Sequence, residues 1–249
     1  MFQVLWMSLL SGLATGLGAL IVVWFGEPTK KVLGFYLGLS SGIMGIVVLA
    51  DLLPSSIIYG NTIYTLLGLI IGVAIMLFFD WLLTRIVFKK PTPRTNKQNQ
   101  QNQVYKQMGY FMTLAIALHN LPEGLAIGAG FETQSELGIR VALVIALHNI
   151  PEGLGIASTL LLGRTRPFYV VILPFITGLF IPLGTLMAFW LGNIVPHWIS
   201  IGLSIASGAM GYIVIKDIGP ESIKLHPLFS RIGMGIGIFI MYIVYSLHG

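Results

Sequence analysis

Two six-residue segments, HNLPEG at 119–124 and HNIPEG at 148–153, each set a histidine four positions before a glutamate. On a helix that spacing puts both side chains on one face, one turn apart. His119 with Glu123, and His148 with Glu152, therefore each offer an imidazole next to a carboxylate. Asn120 and Asn149 follow the histidines and project about a third of a turn away. Imidazole, carboxylate and amide oxygen form a mixed nitrogen–oxygen donor set that suits divalent first-row metals such as Zn(II) or Fe(II). Calcium and magnesium take oxygen almost alone and fit it less well. The chain has no cysteine, which excludes thiolate sites, disulfides and iron–sulfur clusters. Pro122 and Pro151 cannot donate to the carbonyls of Leu118 and Leu147, so each helix is expected to kink beside its histidine and open room for a ligand. A single His–Glu pair could be a buried polar pair that satisfies itself. Two copies favour a metal.

The elements that carry these residues follow from composition. Of 249 residues, 55% are hydrophobic and 9% charged, where a soluble domain carries about 25% charged residues. An ordinary soluble protein is excluded. Apolar runs at about 3–25, 32–54, 62–88, 108–130, 138–161, 167–192, 197–222 and 228–247 are long enough to span a bilayer. The expected fold is an all-α polytopic membrane protein with eight transmembrane helices, forming a single transmembrane domain over residues 1–249. Residues 89–107, KKPTPRTNKQNQQNQVYKQ, are too polar to bury a core and read as a flexible cytoplasmic loop. The net charge of +5 reflects loop residues and not a nucleic-acid surface. With the N-terminus outside, twelve of the fourteen Lys and Arg residues fall on the inner side. The positive-inside rule then gives N-out and C-out in the cell (plasma) membrane. A carboxylate at the bilayer centre costs about 2.5 kcal/mol or more, so intramembrane Glu123 and Glu152 read as functional.

Internal repeats sharpen this reading. ALHNLPEGLAIG at 117–128 matches ALHNIPEGLGIA at 146–157, and SSGIMGIVVLADLLPSSI at 40–57 matches ASGAMGYIVIKDIGPESI at 206–223. The first pair joins spans four and five, the second spans two and seven. Their members run in opposite directions, so both are inverted repeats, a signature of secondary transporters with a midplane site. The second repeat aligns Met44 with Met210, Asp51 with Asp217 and Pro54 with Pro220. Met44 is placed to offer a thioether to the cavity, against the alternative of a core methionine. Asp51 and Asp217 are expected at the outer and inner mouths of a pathway. The alternative for Asp217 is a helix-end charge paired with adjacent Lys216. Asp80, near Arg85, reads as structural.

HNLPEG, HNIPEG and the eight-span layout resemble the ZIP (Zrt/Irt-like) family of divalent metal transporters, in its bacterial branch lacking a His-rich loop. The resemblance implies a helical bundle that takes up Zn(II), and with it Fe(II), Mn(II) or Cd(II), into the cytoplasm. It also implies that His119, Asn120, Glu123, His148, Asn149 and Glu152 are metal ligands, joined by Met44. Relatives can hold two bridged ions. Here TGLFIPLG at 177–184 puts Ile181 where many of them carry an acid, which takes a carboxylate from a second ion. The ion is the substrate, and no cofactor is expected. The expected partners are a divalent metal cation and the lipid bilayer, with no nucleic acid; a homodimer is an assembly the sequence allows. No G-x-x-x-x-G-K-[ST] segment is present, so ATP is not the expected driving force. The alternative function is an intramembrane metal-dependent hydrolase using the same His/Glu cluster. It lacks the H-E-x-x-H pattern and leaves the inverted duplication unexplained.

Overall fold

Backbone N–H and C=O groups in lipid must find partners within their own segment, so apolar spans fold as helices. The computed structural model describes residues 2–26, 28–82, 85, 97–133, 135–190 and 196–248. Its helices are α1 (Phe2–Phe25), α2 (Lys30–Tyr59), α3 (Thr62–Leu82), α4 (Lys97–Thr133), α5 (Ser135–Leu162), α6 (Pro167–Trp190), α7 (196–225) and α8 (Pro227–His248). Among the described residues, seven of the eight hold a stretch long and apolar enough to cross a membrane. The exception is α4, which begins in KQNQQNQ and carries His119, Asn120 and Glu123 at its centre.

Capping residues mark where the spans begin. The Thr29 hydroxyl accepts from the Val32 amide at 3.4 Å, and Asn61 Oδ1 accepts from the amides of Ile63 and Tyr64 at 2.9 and 3.0 Å. Proline opens α6, α7 and α8, where its missing N–H costs nothing.

The polar stretch at 89–107 departs from the expected loop. Residues 89–96 lie outside the described residues, and from Lys97 onward the chain is already α4. Gln and Lys are good helix formers, and the extension has something to pack on. Tyr105 is buried, Gly109 lies against Leu160, and the backbone of Lys106 lies against Gly163.

Helices α2 and α7 each contain one wide π turn, Val48–Leu52 and Val214–Ile218. The two turns occupy equivalent positions of the inverted repeat, and Pro54 and Pro220 stand two residues beyond their last residues. The Leu53 amide reaches back five residues to the Val48 carbonyl, and the Gly219 amide likewise to Val214. A proline ring cannot accept the ordinary α-helical register at the carbonyl four residues earlier. The widened turn absorbs that mismatch and re-aims Asp51 and Asp217, which both lie inside it.

The same repeat extends to α1 and α6. A Cβ added at Gly12 would lie 2.0 Å from the Gly178 carbonyl oxygen, and one at Gly178 would lie 2.0 Å from that of Gly12. Around this crossing α1 packs on α5 and α6 packs on α4, while α2 packs on α8 and α3 on α7. The His and Glu segments on α4 and α5 are therefore held from behind by α6 and α1, two helices related by the same inversion.

Candidate metal centre

Helices α4 and α5 run antiparallel, so the two HNxPEG segments meet head to tail. The nearest contacts are between helices and not along one helix. His148 Nε2 lies 2.9 Å from Glu123 Oε1, and His119 Nε2 lies 3.4 Å from Glu152 Oε1. The contact along α4, His119 to Glu123, is 3.9 Å. All four side chains are 0–1% exposed. The helices continue through Pro122 and Pro151.

The asparagines have a divided role. Asn120 Nδ2 donates to the Thr177 carbonyl on α6 at 2.8 Å, and Asn149 Nδ2 donates to the Ser11 carbonyl on α1 at 2.9 Å. Each amide thereby ties its helix to the helix behind and fixes which way its oxygen points. Sequence reasoning missed Thr177 and Ser11, because they contribute backbone carbonyls and not a side-chain motif.

The donor atoms of the cluster are incompletely paired. Both ring nitrogens of His119, both oxygens of Glu152, Glu123 Oε2, His148 Nδ1 and the side-chain oxygens of Asn120 and Asn149 are buried without a hydrogen-bond partner. His119 Nε2 and Glu152 Oε1 lie 3.4 Å apart, and neither makes a hydrogen bond there. Leaving one buried polar atom unpaired costs about 1–3 kcal/mol. Such a concentration is unfavourable unless a ligand completes it. Every one of these atoms is a metal donor type. Among the described residues, no three of the His and Glu side chains enclose a common centre. The imidazoles and carboxylates touch each other, so an arriving cation would replace those contacts.

A cavity of about 70 Å³ reaches this cluster from one side. Glu123 and His148 lie at its inner end, and Asp51, Ser55 and Tyr59 line it further out. The Ser55 hydroxyl donates to Asp51 Oδ1 at 3.4 Å. The structure thus brings Asp51 and the cluster into one space. Asp217 is separate from it. Its Oδ2 is buried and unpaired, and Lys216 is turned away, donating to Asp80 Oδ2 and to the Tyr212 hydroxyl. The expected neighbour of Asp80 is corrected accordingly: its partner is Lys216, while Arg85 sits over the Trp81 ring at 5.2 Å. Met44 is fully buried in the main apolar cluster, with its sulfur accepting from the Ser40 hydroxyl at 3.5 Å. Ile181 is fully buried in a second apolar cluster with Val4, Ile127, Ala142 and Ile145.

Fold and site together define a multi-pass helical membrane protein, built on inverted repeats around a buried His/Glu cluster. Residues 88–245 match the family described as ZIP zinc transporter. The zinc transporter ZupT of Chlorobium limicola is 33% identical over 256 residues, covering 95% of each chain. The zinc transporters ZupT of Chlorobium luteolum and Chlorobaculum parvum are 34% and 31% identical, each covering 87% of this chain and 86% of their own. The chain belongs to the ZIP zinc transporter family. Members of this family are transporters and not enzymes, so the hydrolase alternative is set aside.

Proposed function

We propose that this protein carries Zn(II) across the membrane into the cytoplasm. The ion is held between α4 and α5 by His119, Glu123, His148 and Glu152, with the amide oxygens of Asn120 and Asn149. The observation that carries this reading is the set of buried, unpaired donor atoms on those six residues. Two carboxylates in one dry site repel unless cations or protons lie between them, and a divalent ion supplies the charge they lack. Fe(II), Mn(II) and Cd(II) suit the same donors. Met44 of α2 would add a thioether only by exchanging the Ser40 hydroxyl for the ion.

The path begins at Asp51, descends the cavity to Glu123 and His148, and leaves toward Asp217. The inverted repeat puts those two aspartates at opposite ends, on equivalent π turns. With N-out and C-out orientation the Asp51 end faces outside. Driving force comes from the ion gradient or the membrane potential. The deciding measurement is uptake of radioactive zinc into proteoliposomes. Glu123→Ala with Glu152→Ala is expected to reduce uptake to the protein-free background, and undiminished uptake by that double variant would remove the site assignment.

A further inference from the structure

Moving two turns along both site helices, away from Asp51, leads from His119 to Met112 and from Glu152 to Thr159. The two residues meet as the His–Glu pair does. The Thr159 hydroxyl donates within α5, with the Ile156 and Gly155 carbonyls at 2.8 and 3.0 Å, and packs against the Met112 sulfur at 3.9 Å; the residues are 0% and 1% exposed. Between Glu152 and Thr159, on the same face of α5, lies Gly155. A Cβ placed there would meet only two atoms, the terminal methyl of Met112 and a methyl of Leu37, each at 3.1 Å. Two flexible apolar ends thus lie across the face of α5 immediately beyond the cluster. Ile116, Ile156 and Leu160 around them are fully buried.

The opposite side of the cluster is built differently at the matching positions. The repeat of α4 with α5 pairs Met112 with Val141 and Thr159 with Gly130. Val141 and Gly130 both line the cavity that reaches Glu123 and His148. At these two positions the open side carries the smaller residue and the shut side the larger, touching one; at the pair Ala126 and Gly155 the order is reversed, and the glycine lies under the Met112 methyl.

We propose that Met112, packed against Thr159 and with Leu37 over Gly155, is the inner gate of the path, closed here while the Asp51 side is open. Methionine suits the task. It is unbranched, with three rotatable bonds, and can swing aside without moving a helix. Gly155 leaves the space into which it closes. The passage of an ion rests on the transport reading above, but the gate itself is read by access to the cavity.

The chain has no cysteine, so Ala126→Cys, on the cavity wall, introduces a unique thiol. A charged, membrane-impermeant thiol reagent is applied to sealed vesicles of each orientation. With Met112 present, the thiol is expected to react from the Asp51 side and to be protected from the Asp217 side. Met112→Ala should raise the rate from the Asp217 side by about tenfold or more, as for an open state that the native chain populates at about 10% or less. Met112→Leu, which keeps the volume, should keep the protection. Leu37→Ala should open the same gate from α2, and it replaces Met112→Ala if that variant does not fold; reaction from the Asp51 side reports folding. An unchanged rate from the Asp217 side in the folded Ala variants, or loss of protection with Met112→Leu, overturns the gate. Zinc uptake measured in parallel separates the two readings: absence of uptake by the native chain removes transport and leaves the accessibility result standing.

Discussion

Asn120 and Asn149 show how one residue type serves two purposes in a membrane. The amide nitrogen holds a neighbouring helix at the Thr177 or Ser11 carbonyl, and the oxygen is left unpaired in the cluster. Removing the side chain should therefore weaken the protein even without metal. Asn149→Ala is expected to lower the metal-free unfolding free energy in detergent by about 0.6–2 kcal/mol, the range for hydrogen bonds between membrane helices. Chemical or thermal unfolding in chelator checks this, and a residue acting only as a ligand would leave the metal-free value unchanged. The Asp80, Lys216 and Tyr212 group has a related effect. Lys216 donates to Asp80 and Tyr212, and Asp217 Oδ2 has no hydrogen-bond partner. Asp80→Asn releases Lys216 and is expected to slow zinc uptake, because a free ammonium beside Asp217 repels a departing cation. Uptake at or above the native rate would show that Lys216 does not act on the path.

At the scale of helices, close approach at glycine decides how the site segments are supported. A Cβ at Gly124 would stand 2.0 Å from the Ile181 carbonyl oxygen, and one at Gly153 would stand 1.8 Å from that of Thr15. Both obstacles are backbone, so α6 or α1 would have to shift. Gly124→Ala and Gly153→Ala are expected to cost about 1–3 kcal/mol each, the usual range for overpacking. Gly45, also on a span, has nothing within 4 Å of an added Cβ. Gly45→Ala is expected to be neutral or slightly stabilising, since alanine is the better helix former. Unfolding measurements on the three variants test this contrast, and equal losses in all three would refute it. The same scale explains the one element that departed from expectation. Residues 97–107 are polar enough to read as loop, yet Leu160 at the end of α5 and Gly163 just beyond it offer a surface for the segment and the turn that follows it. Sequence periodicity does not see a surface supplied by a helix fifty residues further on.

Across the whole molecule, the inversion relates α1 to α6, α2 to α7 and α4 to α5. It places one π turn with one aspartate in each of α2 and α7. The charge distribution predicts that both termini face outside. Reporter fusions at each end test this, and an inward-facing reporter at either terminus would reverse the direction assigned to the path. The sequence by itself determined an all-helical membrane fold, two of the inverted pairs and the doubled His, Asn and Glu positions, because apolar length and the repeated HNxPEG segments are local in the chain. It also marked Asp51 and Asp217 through the second repeat. Only the tertiary structure decided the pairing of His148 with Glu123 and of His119 with Glu152, because that depends on how two antiparallel helices dock. The same holds for the asparagine ties to α1 and α6, for Lys216 reaching Asp80, and for the contrast of Met112 and Thr159 with Val141 and Gly130. Each of these joins residues far apart in sequence, where contact depends on the direction a side chain takes once its helix has packed.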